Sequence, residues 1–144
     1  MDELTAMQIS GSALKAERAR LNIAAMNLAN ANTTRTLEGG PYKAKSVIFA
    51  AKPLEGNFRD TLNSTAERLR TVEVAAVVDD KAPFKEVYDP SNPDADANGI
   101  VRMPNVNVAE QMVDMIDARR SYEANVTALD AVKNMAMRAL DIGR

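Results

Sequence analysis

The chain contains no cysteine, no histidine and no tryptophan. Without cysteine there is no disulfide and no thiolate to act as ligand or nucleophile. That absence does not identify a compartment, because oxidising compartments do not require disulfides. Without histidine, the commonest metal ligand and the commonest general base near neutral pH are both missing. Carboxylates, Lys, Tyr and Ser remain, so catalysis is disfavoured but keeps candidates. Aromatic residues make up only 4% of the chain, three Tyr and three Phe. A core this poor in aromatics favours close helix–helix packing over a thick globular interior. Eight Met residues supply adaptable filler for irregular helix contacts.

Charge of one sign is also lacking: 18 basic residues face 20 acidic ones, a net of −2. No basic run exceeds Arg119-Arg120. The concentrated positive field that nucleic acid requires is therefore absent, as is an acidic interaction tail. No run of about 18 apolar residues occurs, so no segment reads as membrane-spanning. Met1-Asp2-Glu3-Leu4-Thr5 is not a basic region followed by an apolar run, so no cleavable secretory signal is expected. Taken alone, that points to the cytoplasm. At 144 residues the chain has the size of one domain.

What is present is patterned at both ends. From about Asp2 to Ala31, Leu4, Met7, Gly11, Leu14, Arg18, Leu21, Ala25 and Leu28 follow a 3-4 spacing. Met7, Leu14, Leu21 and Leu28 recur every seventh residue, a seam along one side of a helix. A helix of that length runs to about 45 Å. Gly11 costs helix stability and could instead admit close backbone approach. Asn30, Asn32 and Thr33 break the pattern, and Gly39-Gly40-Pro41 ends it. After Pro104, Asn107 followed by Glu110 reads as a relative of the capping box. Val108, Met112, Met115, Arg119, Tyr122, Val126, Leu129, Lys133, Ala136 and Leu140 then step by four and three. Val113, Ile116, Val132 and Met135 widen this stripe into a broad apolar face.

The middle differs. Ser46-Val47-Ile48-Phe49 reads as a strand, and Val72, Val74, Ala76 and Val78 alternate with a period of two. Phe84 to Tyr88 and Ile100 to Met103 are shorter strand candidates, and Asp89-Pro90-Ser91-Asn92-Pro93 is turn chemistry. The expected fold class is α+β. Residues 1–34 and 105–144 form long helices pairing as one antiparallel coiled-coil domain. Residues 35–104 form a β-rich, hairpin-like insert with a flexible loop near 54–70. A helix with such a seam needs a partner to bury it. An ordinary antiparallel hairpin closed over the insert and a coiled coil whose outer faces dock on further subunits both satisfy that need. Arg18, Arg119 and Lys133 on the seams favour the second, because polar seam positions set register.

Several segments suggest sites. Asp94-Ala95-Asp96-Ala97-Asn98-Gly99 matches the first half of a calcium loop, but the twelfth position is Asn105 in place of a bidentate Glu. Pro90 and Pro93 deny that loop an entering helix, so an Asx-rich turn is the simpler reading. Gly39-Gly40-Pro41 lacks the Lys-Ser/Thr and helix start of a phosphate loop. Asn27, Asn30 and Asn32 either satisfy carbonyls at a helix end or make contacts to adjacent subunits. Tyr122 reads as a core aromatic with its hydroxyl at the rim. Asp79, Asp80 and Asp89 show no paired acid/base spacing. No catalytic residue, metal site or cofactor is expected.

Ser10-Gly11-Ser12-Ala13-Leu14 and Arg20-Leu21-Asn22-Ile23-Ala24-Ala25-Met26-Asn27-Leu28-Ala29-Asn30-Ala31 resemble the N-terminal signature of bacterial flagellar rod and hook proteins. Met103-Pro104-Asn105-Val106-Asn107-Val108 and Arg120-Ser121-Tyr122-Glu123-Ala124-Asn125 resemble the C-terminal signature. Pro41 to Lys45, Val87 to Pro90 and Asp94 to Val101 are most similar to a short proximal-rod member. The resemblance implies a structural subunit of the basal-body rod, assembled axially through its terminal helices into a hollow drive shaft between rotor and hook. Implied partners are copies of itself, other rod proteins, a rotor-side adaptor and the flagellar type III export apparatus. Passage through that apparatus implies a periplasmic destination without a cleaved signal. The assembly residues so implied are Leu14, Leu21, Asn27, Leu28 and Asn30 on the first helix. On the second they are Met112, Ile116, Arg120, Tyr122, Asn125, Val126 and Leu129. A soluble coiled-coil adaptor without axial assembly is the alternative from another class.

Export in an unfolded state implies helices that are marginal in isolation and fold when neighbours bury their faces. In the isolated chain, hydrogen exchange is expected to find weak protection across Ala13 to Ala29 and Met112 to Ala136. Strong protection across both would refute coupled ordering.

Overall fold

The structure, a computed structural model, describes residues 3–54 and 69–142. Among them the elements are, in chain order, α1 (Glu3–Ala29), β1 (Lys45–Pro53), β2 (Arg70–Asp79), β3 (Lys85–Tyr88), β4 (Ile100–Met103) and α2 (Val108–Ile142). The fold is the expected α+β: two long terminal helices with β structure between them. The expected loop near 54–70 lies almost wholly outside the described residues.

Both helix boundaries follow from local chemistry. At the end of α1 the backbone N–H and the side-chain Nδ2 of Asn30 both donate to the Met26 carbonyl. The Asn30 carbonyl then accepts from the Thr33 N–H, so the chain turns instead of continuing as helix. Pro104 precedes α2, whose first intrahelical bond runs from the Gln111 N–H to the Asn107 carbonyl at 3.0 Å. Glu110 places a negative charge in the first turn, where the helix dipole favours it.

The insert forms two separate two-stranded sheets, β1–β2 and β3–β4. The second is antiparallel, with Lys85 opposite Met103, Glu86 opposite Arg102, Val87 opposite Val101 and Tyr88 opposite Ile100. Val101 and Val87 share one face of this pair, but Val101 is buried while Val87 stays 47% exposed. The turn joining β3 to β4 is built from Asx bonds. Asp89 Oδ1 accepts from the Ser91 N–H and hydroxyl, Asn92 Oδ1 from the Asp94 N–H, and Asp96 Oδ1 from the Asn98 and Ile100 N–H groups. Gly99 closes it with a φ of 74°, a left-handed backbone natural to glycine.

The chain divides into two compact units. One comprises residues 1–19, 48–76 and 118–144. Within it, Ala16 and Ala118 are buried. From Ala118 onward the covered positions of α2 include Tyr122, Asn125, Leu129, Val132 and Ala136 in alternating steps of four and three, with Ser121 and Val126 beside them. Val72 donates its backbone N–H to Ser12 Oγ of α1 at 3.1 Å, tying β2 to that helix.

The other unit comprises residues 20–47 and 77–117. Here α1 and α2 run antiparallel: Arg20 pairs with Asp114 at 2.9 Å, while Asn27, seven residues further along α1, meets Gln111, earlier on α2. Tyr42, Ala44 and Val106 form a small apolar cluster against which Ala31 packs, and Ala24, Val101 and Pro104 are also buried.

Candidate functional site

Arg20 to Ala31 of the first signature and Met103 to Val108 of the second lie in the second unit, where Asn27 is the most heavily bonded buried side chain. It lies in the last turns of α1 and is 1% exposed. A buried amide is costly unless its two donors and two acceptor positions are satisfied. All four are. Nδ2 donates to the Lys45 carbonyl and to Gln111 Oε1, both at 2.8 Å. Oδ1 accepts from the Tyr42 hydroxyl at 2.8 Å and from the Lys45 N–H at 2.9 Å. One side chain thus binds α1, the start of β1 and α2 together.

Asn105 grips the adjacent peptide. Its Oδ1 accepts from the Ala44 N–H at 2.8 Å, and its Nδ2 donates to the Ala82 carbonyl at 3.1 Å. Lys85 donates through Nζ to the Val106 carbonyl at 2.8 Å. The segment Pro104-Asn105-Val106 is therefore a brace: proline and valine fill the core while the amide between them holds the insert. Burial, and after it the Asp79 carboxylate, raises the Tyr42 phenol above its ordinary value of 10.0.

The sequence-derived candidates fall into two groups. Asn27 is buried, and Leu14, Leu21, Leu28, Asn30, Tyr122, Asn125, Val126 and Leu129 are half-buried. Met112 and Ile116 are 50% and 52% exposed, and Arg120 is exposed as well. Asn30 uses its amide locally, donating to Met26 and accepting from the Thr33 hydroxyl, and Asn125 donates to the Ser121 carbonyl one turn back. Arg18 and Arg119 do not set a register between helices. Arg18 is exposed, and Arg119 pairs with Glu123 of its own helix. Arg20, Gln111 and Asp114 do that work in the second unit, off the seam that leucine spacing suggests. On α1 the covered line in this unit runs through Arg20, Ala24 and Asn27, about a third of a turn from Leu21, Ala25 and Leu28.

On the uncovered side of α2, Val108, Met112 and Ile116 lie four residues apart and exposed, with Val113 beside them. This is an apolar stripe on a helix whose opposite side is already engaged. An open groove of about 840 Å³ is bordered by Arg35, Tyr42, Lys43, Lys45 and Asp79 among others. Its charges are of both signs. Among the described residues no group of three His, Cys, Asp or Glu could hold a metal. In the Asp94 to Gly99 segment Asp96 Oδ1 accepts from two backbone amides, and Asp94 Oδ2 accepts from the Thr34 hydroxyl at 2.6 Å.

Residues 7–35 match the family described as "Flagella basal body rod protein", and residues 97–142 match "Flagellar basal body rod FlgEFG protein C-terminal". In that order, at the two helical ends, they define a flagellar basal-body rod protein, a structural class and not an enzyme class. Over 98% of both chains the sequence is 44% identical to the flagellar basal-body rod protein FlgC of Salmonella typhimurium. It is 41% identical to that of Bacillus subtilis over the full length of both. To that of Borreliella burgdorferi it is 38% identical over 99% of this chain and 98% of the relative. The chain belongs to the FlgC family of flagellar basal-body rod proteins.

Replacing Asn27 by Leu strands the Tyr42 hydroxyl, both Lys45 backbone groups and Gln111. Urea denaturation should register a loss of at least about 3 kcal/mol. The Tyr42 shift predicts an alkaline limb. The folded chain holds the phenolic proton more tightly than the unfolded chain, so its contribution is complete below the ordinary value. It is lost as pH rises from there through the raised value. Tyr42→Phe should cost about 1 kcal/mol at neutral pH and flatten that limb in denaturation measured from pH 8 to 11.

Proposed function

We propose that this chain is a subunit of the proximal rod, packed through its terminal helices into a hollow shaft that carries torque from rotor to hook. Copies of itself and other rod proteins are its lateral and axial neighbours, and a rotor-side adaptor meets the assembly at its base. The shaft lies in the periplasm, and the subunits reach it unfolded through the flagellar type III export apparatus, without a cleaved signal. In this reading residues 1–34 and 105–144 act as one helical domain, and residues 35–104 as an insert carried by it. The whole-length identity to rod proteins supports the class. The observation that carries the mechanism is the exposed stripe of Val108, Met112 and Ile116. Apolar area of that extent is stabilising only once covered. Leu14, Leu21 and Leu28 are half-covered within the chain and offer a second face for a neighbour. Arg120, exposed one turn beyond Ile116, gives the stripe a charged end.

A soluble adaptor without axial assembly would not need the stripe. Ile116→Asp and Met112→Asp, at exposed positions, should leave the isolated subunit within about 0.5 kcal/mol of the native stability. In cells carrying either variant as the sole copy, incorporation into basal bodies and swimming should be lost. Normal incorporation of both would exclude the stripe as an assembly face.

A further inference from the structure

Among the described glycines, Gly39, Gly40 and Gly99 have a backbone reason to be glycine, with φ of 89°, 76° and 74°. Gly11 has none. It sits inside α1, where glycine weakens a helix relative to alanine. A Cβ built there meets no described atom within 4 Å, so it does not serve close packing within the chain either. The space opens into a groove of about 480 Å³ bordered by Gln8, Ser12, Lys15, Lys52, Val72 and Glu73. Its floor is tied down, since the Val72 N–H donates to Ser12 Oγ and the Ser12 hydroxyl donates to the Ile9 carbonyl at 2.7 Å. A notch in a helix beside a strand, held open with polar groups satisfied, is the shape that receives a side chain.

The chain also presents an unmatched knob. Leu37 is 108% exposed, more than in an extended reference peptide. It is not on a loose tail. The turn bearing it is held by the Thr36 N–H donating to the Gly40 carbonyl at 2.9 Å and the Gly39 N–H donating to the Thr36 carbonyl at 3.1 Å. Ordering a branched apolar side chain in water brings no gain within the subunit. Glu38 beside it is exposed, as is Lys15 on a rim that also carries Lys52 and Glu73, so Glu38 has a partner of opposite charge there.

We propose that Leu37 of one copy seats against Gly11 of a second copy, with Glu38 facing Lys15. The two surfaces differ, so the contact is heterologous. Repeated, it propagates a ring or an open helical array instead of closing a two-fold dimer. The inference rests on the rod-subunit reading and names one joint within it.

Because the chain lacks cysteine, introduced thiols report this joint without background. Gln8→Cys and Leu37→Cys alter exposed positions and are combined in one chain expressed as the sole copy. Oxidised basal bodies should yield reducible multimers of this subunit, and neither single variant should. Rods that assemble without such multimers, or a link confined to one chain or made to another rod protein, overturn the joint. If the native chain itself is absent from basal bodies, the rod reading fails instead. Gly11→Ala provides the second arm. Helical ellipticity of the isolated subunit should equal or exceed the native, while incorporation falls about tenfold, or about 1.4 kcal/mol. Undiminished incorporation of Gly11→Ala refutes the proposal.

Discussion

Asn27 donates and accepts at every position its amide possesses, and two stretches of chain far apart in sequence depend on it. Lys45 begins the first strand, Tyr42 belongs to the connection before it, and Gln111 lies in the first turns of the last helix. An apolar residue there would fill the space but leave buried backbone and hydroxyl groups unpaired. The asymmetry of hydrogen-bond energetics makes that omission more costly than the bonds themselves are favourable. With Asn105 holding the next peptide from the other terminal segment, one pair of amides fixes where the insert leaves the helices. The surrounding core is thin: two alanines, a tyrosine, two valines and a proline. Specificity at this junction comes from polar geometry more than from apolar volume.

That division of labour suits a subunit whose function is to be added to others. The chain uses small residues, Ala16, Ala24 and Ala118, where its own segments meet, and small side chains permit close helix contact. Larger apolar side chains remain partly or wholly outside: Met112, Val113 and Ile116 on α2, and Ile48, Phe49, Val77 and Val78 on the β1–β2 ribbon. A two-stranded ribbon is marginal alone, and a long helix with one free apolar face is not much better. The chain belongs to a family of flagellar rod proteins, and these faces are the apolar area that its own fold leaves exposed. Surface ion pairs such as Arg20–Asp114, both partners about a third or more exposed, add orientation and little stability.

Much of this was visible in the residues. The two terminal helices, four strands and the Asx-built turn all follow from periodicity, branched side chains and the placement of Asn, Asp, Pro and Gly. Tyr122, Val126 and Leu129, on the stripe that the spacing marks, are half-buried, but the spacing left open which of them faces the chain and which a neighbour. What escaped was the direction of α1. Leucines every seventh residue mark the more hydrophobic side, yet in the second unit the chain turns its Ala24–Asn27 side inward. Hydropathy ranks leucine above alanine, whereas close packing and a four-bond amide favour the reverse. No spacing rule could have linked Asn27 to Tyr42, Lys45 and Gln111, because a side-chain hydrogen bond leaves no period in the sequence.

The sequence alone therefore determined which segments are helix and strand, that two amphipathic ends must find partners, and that no metal or thiol chemistry could draw on histidine or cysteine. Tertiary structure alone decided which faces the chain keeps for itself and which it leaves uncovered. The physical reason is that periodicity reports only that a face is apolar. Whether that face is buried within the chain depends on the distances and polar partners that other segments bring to it.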